Sequence, residues 1–234
     1  MRIAIIGSGI SGLSAAYFLG KNHQVTIFEK SDRLGGHTHT HQLELETTIK
    51  VDSGFIVLND KNYKNLMEFF KEIDIDLYKT EMSFSVNSKF LVWNSKDFFN
   101  FSFLANFKKI KLLIDIVRFN YLAKNYKNKG NISKWLKIYK FSNLFVESYL
   151  LPMTSAIWSS TSKEIKNYPA ESMNSFLKNH GLLNLYNRPQ WYSVLGGSSS
   201  YVEKLLDLKI FDVRLNSKVK INRSNNKIFI SNKD

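Results

Sequence analysis

The chain has 234 residues, 44% of them hydrophobic and 14% aromatic, enough to bury a sizeable core in one large domain or two modest ones. It contains no cysteine, which excludes disulfides, thiolate metal sites and cysteine nucleophiles and fits a reducing compartment. A formal charge of +13 points toward an anionic partner, either nucleic acid or an anionic membrane, but the lysines are scattered among Asn and Ile without a nucleic-acid-binding motif, so nucleic acid is not an expected partner.

Residues 3–6 form a short apolar run without polar alternation, which predicts a strand buried on both faces of a parallel sheet. Gly7, Gly9 and Gly12 follow in the spacing G-x-G-x-x-G. Gly7 allows the tight turn, Gly9 lets the backbone approach a pyrophosphate, and Gly12 lets a helix pack on the strand. Residues 11–19, opening on Ser11, suit that helix, whose free N–H groups and positive dipole end would face phosphates. A second strand at 25–29 ends in Glu29, a carboxylate placed to accept hydrogen bonds from both hydroxyls of an adenosine ribose and to repel a 2′-phosphate. This favours FAD or NAD over NADP. Arg2 before an apolar stretch imitates a signal peptide, but glycines and serines interrupt the run, and no stretch reaches the ~20 apolar residues of a membrane span. A soluble cytoplasmic protein is the expectation.

Lys30-Ser31-Asp32-Arg33-Leu34-Gly35-Gly36 comes next. The paired Gly35 and Gly36 let backbone N–H groups approach a second part of a bound cofactor, and Arg33 adds positive charge near its phosphates; Lys30, Arg33, Gly35 and Gly36 join the candidate site. Together the glycine fingerprint, the terminal Glu29 and the Arg-x-Gly-Gly element resemble the flavin-containing amine oxidase superfamily, which also holds phytoene desaturases and protoporphyrinogen oxidases. The resemblance implies FAD as the cofactor.

His37, His39 and His41 alternate with threonines and would point to one side of an extended segment. Three histidines on one segment lack a shaped cage and a carboxylate behind them, so no metal site is expected; His37 either lines the route to the flavin or is solvated. Residues 42–49 alternate like a strand. For Asp52, Ser53 and Gly54 the resemblance implies a place near the isoalloxazine end of the cofactor, while the residues alone read equally as a β-turn. Residues 63–73 have the spacing of an amphipathic helix with a core face. Residues 82–86 and 90–93 read as two short strands turning at Asn87-Ser88, the entrance to a second domain.

Residues 98–151 are helical, basic and aromatic. Ile110, Leu113, Ile114, Val117 and Tyr121 fall on one stripe, expected to pack on its own domain, with a membrane-surface helix as the alternative. Gly130-Asn131 breaks the pattern, and Ser133 is a candidate cap for a helix over 134–139. In residues 150–160, Pro152 reads as a helix stop, and small hydroxyl residues around Trp158 suggest a loop that walls an apolar pocket. This stretch closely resembles a bacterial branch of the superfamily, predicted NAD/FAD-binding proteins with poorly defined substrates. Arg188-Pro189-Gln190-Trp191 and Gly196-Gly197-Ser198 strengthen the likeness, although Tyr192-Ser193-Val194 stands where that branch has a more basic first position.

Pro169 precedes a helix over 170–179 closed by Gly181, and Ser198 opens another through Tyr201, Val202, Leu205 and Leu206. Short strands are predicted at 213–215, 219–221 and 227–230, with Ser224-Asn225-Asn226 as a hairpin turn. The resemblance implies that Val219 lies against the adenine; a buried strand residue is the other reading. The superfamily continues into further substrate domain and a late Gly-Asp motif, neither of which follows Val219, so the chain looks like an N-terminal portion.

The expectation is therefore an α/β fold: a Rossmann-type FAD-binding domain in two segments, 1–80 and 190–234, with an inserted mixed α+β substrate domain at 81–189. The implied function is an FAD-dependent oxidoreductase that accepts a hydride from a small-molecule or lipid-like substrate, with peripheral membrane contact as an open element. An NAD-dependent dehydrogenase and a non-enzymatic basic protein that binds membrane or nucleic acid are the alternatives. No residue has a spacing that assigns it a catalytic role.

Overall fold

A computed structural model describes residues 1–96, 106–125, 130–184, 187–224 and 227–232. It divides into two compact units, Met1–Thr80 with Trp191–Asp234, and Glu81–Gln190. The first unit begins with β1 (Arg2–Ile6), α1 (Ile10–Gly20), β2 (Gln24–Phe28), β3 (Thr40–Glu44), β4 (Thr48–Asp52), β5 (Leu58–Asn59), α2 (Lys64–Glu72) and β6 (Leu77–Thr80). The second holds β7 (Ser85–Asn87), β8 (Val92–Asn94), α3 (Phe107–Lys124), α4 (Ile132–Ile138), α5 (Asn143–Phe145), a π-helical turn (Val146–Leu150), α6 (Leu151–Trp158), α7 (Ser162–Asn167) and α8 (Ala170–Asn179). The chain then returns to the first unit with β9 (Trp191–Val194), α9 (Ser199–Asp207), β10 (Asp212–Arg214), β11 (Val219–Ser224) and β12 (Lys227–Asn232).

In the first unit β1 and β2 pair in parallel, Ile3 with Val25 and Ile6 with Phe28, and β10 joins the far edge of β2, also in parallel. A parallel pair needs a crossover, and α1 supplies it. Leu13 and Ala16 of α1 are fully buried with Val25 and Ile27 of β2, and Leu58, Phe70, Tyr201 and Leu205 complete this core. The expectation that β1 is buried on both faces is corrected: Ile3 and Ile5 are half-buried, while Ala4 and Ile6 are exposed. Among the described residues β1 is an outer strand of a three-stranded sheet, so an apolar run that suits a central strand has cover on one face only.

The single strand expected at 42–49 is instead the β3–β4 hairpin, with Thr40 opposite Asp52 and Glu44 opposite Thr48. Leu45-Glu46-Thr47 forms the bend without Gly, Pro or Asn, so nothing punctuates the alternation. β5, β9 and β6 form an antiparallel sheet in that order. α2 turns Phe69 and Phe70 inward, as its spacing predicts. β11 and β12 pair antiparallel; Asn225 and Asn226 of the expected turn lie outside the described residues.

The second unit has a separate core in which Leu112, Phe119, Ile132, Trp135, Phe145, Leu150, Met173 and Leu177 are fully buried. Phe119 meets Trp135 edge-on at 5.1 Å between ring centroids, a favoured aromatic geometry. Asn131, and not Ser133, caps α4 by accepting from Lys134 N. Pro152 does not stop a helix: it sits in the first turn of α6. The π-helical turn at Val146–Leu150 runs into α6 without a break, so Pro152 sits inside a continuous helical run at the point where the helix changes its winding. The outcome for the α3 stripe is also reversed. Leu112, Ile116, Phe119 and Ala123 face the core, and the stripe through Ile114, Val117 and Tyr121 faces out.

Candidate cofactor site

The site is built on the β1–α1 turn. Gly7 N–H donates to Phe28 O at 2.8 Å, which closes the turn onto β2. Gly7 has φ +92°, a left-handed conformation that glycine adopts without steric cost. A Cβ at Gly12 would lie 2.0 Å from Gly7 O, so only glycine lets α1 approach this closely. A Cβ at Gly9 would meet nothing within 4 Å; that backbone faces open space. Gly9 caps α1 without a side-chain hydrogen bond, and there is no acid in the first turn. The first-turn N–H groups therefore keep the partial positive charge that favours an anion.

This turn opens on a cavity of about 390 Å³, within the range of small-molecule sites. Gly7, Gly9, Ser11 and Gly12 line one side, with Ile6 and Ile10. Gly35, His37 and Thr38 line a second, and Phe55, Leu66, Phe70 and Tyr201 form the apolar remainder. Tyr201 Oη and Thr38 Oγ1 share a 2.6 Å hydrogen bond. Burial pushes the Tyr201 hydroxyl above its usual pKa of 10.0, and the Thr38 bond offsets part of that.

Glu29 lies behind the turn, buried, and is not among the cavity-lining residues. Its Oε2 accepts from Ser8 N–H at 2.8 Å and from Ser8 Oγ at 2.6 Å, while Oε1 accepts from Ser31 N–H at 3.0 Å. Burial pushes the carboxyl pKa up, but these bonds from Ser8 and Ser31 outweigh it and lower the value from 4.5 to about 2. The group is thus a fixed anion near neutral pH.

Arg33 is exposed, and its guanidinium donates to the carbonyls of Leu34, Gly36 and Thr38. It braces the double-glycine loop with donors that a phosphate would otherwise take. A Cβ at Gly36 would lie 3.0 Å from Gly9 Cα, so this loop packs on the glycine turn. Lys30 is exposed, and Val219 is half-buried at the start of β11; neither lines the cavity.

Asp52 ends β4 and is tied to α9. It accepts from Ser198 N–H at 3.0 Å, from Ser198 Oγ at 2.8 Å and from Thr40 Oγ1 at 2.5 Å. Gly54 packs against the His37 backbone, because a Cβ there would lie 1.8 Å from His37 O. Ser53 Oγ lies 2.9 Å from His41 Nε2, and the His39 and His41 rings are 3.9 Å apart. Among the described residues no group of three or more His, Asp or Glu is placed to hold a metal.

Several site residues were not legible in sequence. Ser8 and Ser31, which hold Glu29, carry no spacing signal beyond their place beside the fingerprint. Leu66, Phe70 and Tyr201 are on the apolar faces of α2 and α9 and read as core; what distinguishes them is only that the cavity interrupts that core.

Residues 5–73 match the family described as NAD(P)-binding Rossmann-like domain. Over 44 residues, 18% of this chain and 8% of the relative, the sequence is 54% identical to an L-amino-acid oxidase of Sistrurus catenatus edwardsii. Over 77 residues, 32% of this chain and 15% of the relative, it is 40% identical to an L-amino acid oxidase of Bothrops pictus. The fold is similar to that of an oxidoreductase from Methanosarcina mazei, with 20% identity and a TM-score of 0.59 over 100% of this chain and 57% of that one. It is similar also to that of cyclohexylamine oxidase from Brevibacterium oxydans IH-35A, with 18% identity and a TM-score of 0.67 over 99% of this chain and 55% of that one. The alignments thus span at most 15% of these two curated relatives and little more than half of these solved chains. The fold is a mixed α/β fold with a Rossmann-like dinucleotide-binding domain. Taken together, the matches make the chain similar to L-amino-acid oxidases in part of its sequence and to amine oxidases in fold.

Proposed function

We propose that the chain supplies the FAD-binding part of an FAD-dependent oxidoreductase that acts on a small organic amine. One observation carries the reading: the uncapped N-terminus of α1 and the Gly35–Gly36 loop, packed on Gly9, border one cavity. These residues fit a dinucleotide with a flavin. Gly9 leaves room for a pyrophosphate, the α1 N–H groups of Ser11 and Gly12 offer it donors, and Glu29 is an ionised acceptor at the end of β2. His37 and the Phe55–Leu66–Phe70 wall exclude water along the cavity. Ser53 and Asp52 act as framework, with Asp52 fixing β4 to α9 and Gly54 seating the His37 backbone. Val219 lies against the adenine on the strength of the resemblance, and Arg33, its donors bound to backbone carbonyls, contributes positive charge toward the phosphates. When bound, the flavin supplies the redox chemistry by accepting a hydride. The amine substrate is suggested by the relatives, named as L-amino-acid oxidases and a cyclohexylamine oxidase.

The test is the absorbance spectrum of the purified chain, followed by titration of flavin-free protein with FAD under fluorescence. Flavin bands or saturable quenching support the proposal. The absence of both overturns it, and tight NADH binding without flavin uptake assigns a nicotinamide-dependent dehydrogenase instead.

A further inference from the structure

The outer face of α3 carries an apolar stripe of its own, set among basic side chains. Leu112, Ile116, Phe119 and Ala123 are buried in the unit's core. Across the helix, Phe107, Ile114, Val117 and Tyr121 are 80, 61, 45 and 70% exposed. A contiguous exposed apolar stripe rimmed by charged side chains marks a surface that binds something. Arg118 donates to the Tyr139 carbonyl and ties the end of α4, with its exposed Ile138, to the same region.

Charge identifies the occupant. Residues 81–190 hold 16 Lys and Arg against 6 Asp and Glu, or +10 of the chain's +13. Within residues 106–125 and 130–140 there are eight basic side chains and one acid, Asp115, and Asp115 is buried against Ser142 and Arg118. Within those two stretches no other acid stands beside Lys108, Lys111 and Lys124, which are exposed along α3. A second copy of the chain would match the stripe but bring the same positive charge to it. Nucleic acid would match the charge but gain nothing from Ile114 and Val117. An anionic phospholipid surface satisfies both, because apolar side chains enter the headgroup and acyl boundary while lysines meet lipid phosphates. Among the described residues no helix is long and apolar enough to cross a membrane, so α3 would lie on the bilayer.

We propose that the outer face of α3 docks the protein on an anionic lipid bilayer. The test is sedimentation of the full chain with vesicles of phosphatidylcholine alone and of phosphatidylcholine mixed with phosphatidylglycerol. The chain is expected to sediment with the mixed vesicles only, and to be released by salt. Ile114→Ser with Val117→Ser should weaken binding roughly tenfold by removing exposed apolar side chains. Lys111→Ala and Lys124→Ala should each cost about fivefold, and these exposed substitutions leave the core intact, as far-UV circular dichroism will check. Equal binding to both vesicle types, or binding unchanged by both sets of variants, overturns the proposal. So does a concentration-dependent dimer abolished by the Ile114 and Val117 changes, which gives the stripe to a second copy, or duplex DNA binding indifferent to them. FAD titration is blind to all these outcomes, so the lipid proposal stands or falls apart from the cofactor reading.

Discussion

Replacing Glu29 by Gln tests the electrostatic logic of the first unit most directly. The carboxylate accepts three hydrogen bonds, two on Oε2 from Ser8 and one on Oε1 from Ser31. Gln offers a single acceptor oxygen, so either the Ser8 donors or the Ser31 N–H face an amide NH2 group. A buried donor left without an acceptor costs about 1–3 kcal/mol. The native pKa supplies an independent figure. A carboxyl held at about 2 against an ordinary 4.5 stabilises the fold by roughly 3 kcal/mol when ionised. Because the folded value is the lower one, that stabilisation is fully present above the unfolded pKa and is lost as pH falls from about 4.5 to about 2. Urea unfolding of both proteins, followed by far-UV circular dichroism from about pH 7 to about pH 2.5, should show wild type ahead by about 2–3 kcal/mol at neutral pH and the gap closing in acid. A gap that stays constant across that range would refute the assignment of the ionised carboxylate as the stabilising group.

Three further outcomes are expected. Gly12→Ala drives a methyl into Gly7 O, 2.0 Å away; it should destabilise the protein by about 2–4 kcal/mol and abolish FAD uptake, readable by thermal melting and flavin fluorescence. Asp52→Ala removes the acceptor for Ser198 N–H and Oγ and should cost about 1–3 kcal/mol, with faster amide hydrogen exchange in the first turn of α9. His39 should titrate below its ordinary 6.5 in an NMR pH series, since burial, then the charge of Arg33, then His41 all push it down; Arg33→Gln should raise it, and no movement would remove Arg33 as a cause.

The β1–α1–β2 unit was readable because each step has its own local signal: apolar runs for the strands, glycines for the turn, the open backbone and the close helix approach, and an acid at the end of β2. Helices such as α2 and α8 were readable from their spacing and from Pro169 and Gly181. Failures arose where a residue has two uses. Pro152 ordinarily stops or opens a helix, but the π-helical turn before it lets the helical run continue through it. On α3 both faces are apolar, so periodicity could not say which one the core takes. The β3–β4 bend at Leu45–Thr47 has no turn residue to mark it. In the candidate site, glycines mark backbone shape and were visible, whereas Ser8, Thr38 and Tyr201 owe their roles to partners as distant in sequence as Thr38 and Tyr201.

The first unit is split by the second, and this orders events at the ribosome. Residues 81–190 form one continuous segment whose core partners are all present once that segment has emerged. The first unit has no such independence. β2 lacks its β10 neighbour, β5 and β6 lack the β9 strand between them, and Asp52 lacks Ser198 until residues 191–214 have been made. The glycine turn, although written early, therefore gains the support of β10 and α9 only after the whole second unit has been made, and a nascent chain arrested near residue 190 should hold a folded insert on an unfinished nucleotide fold.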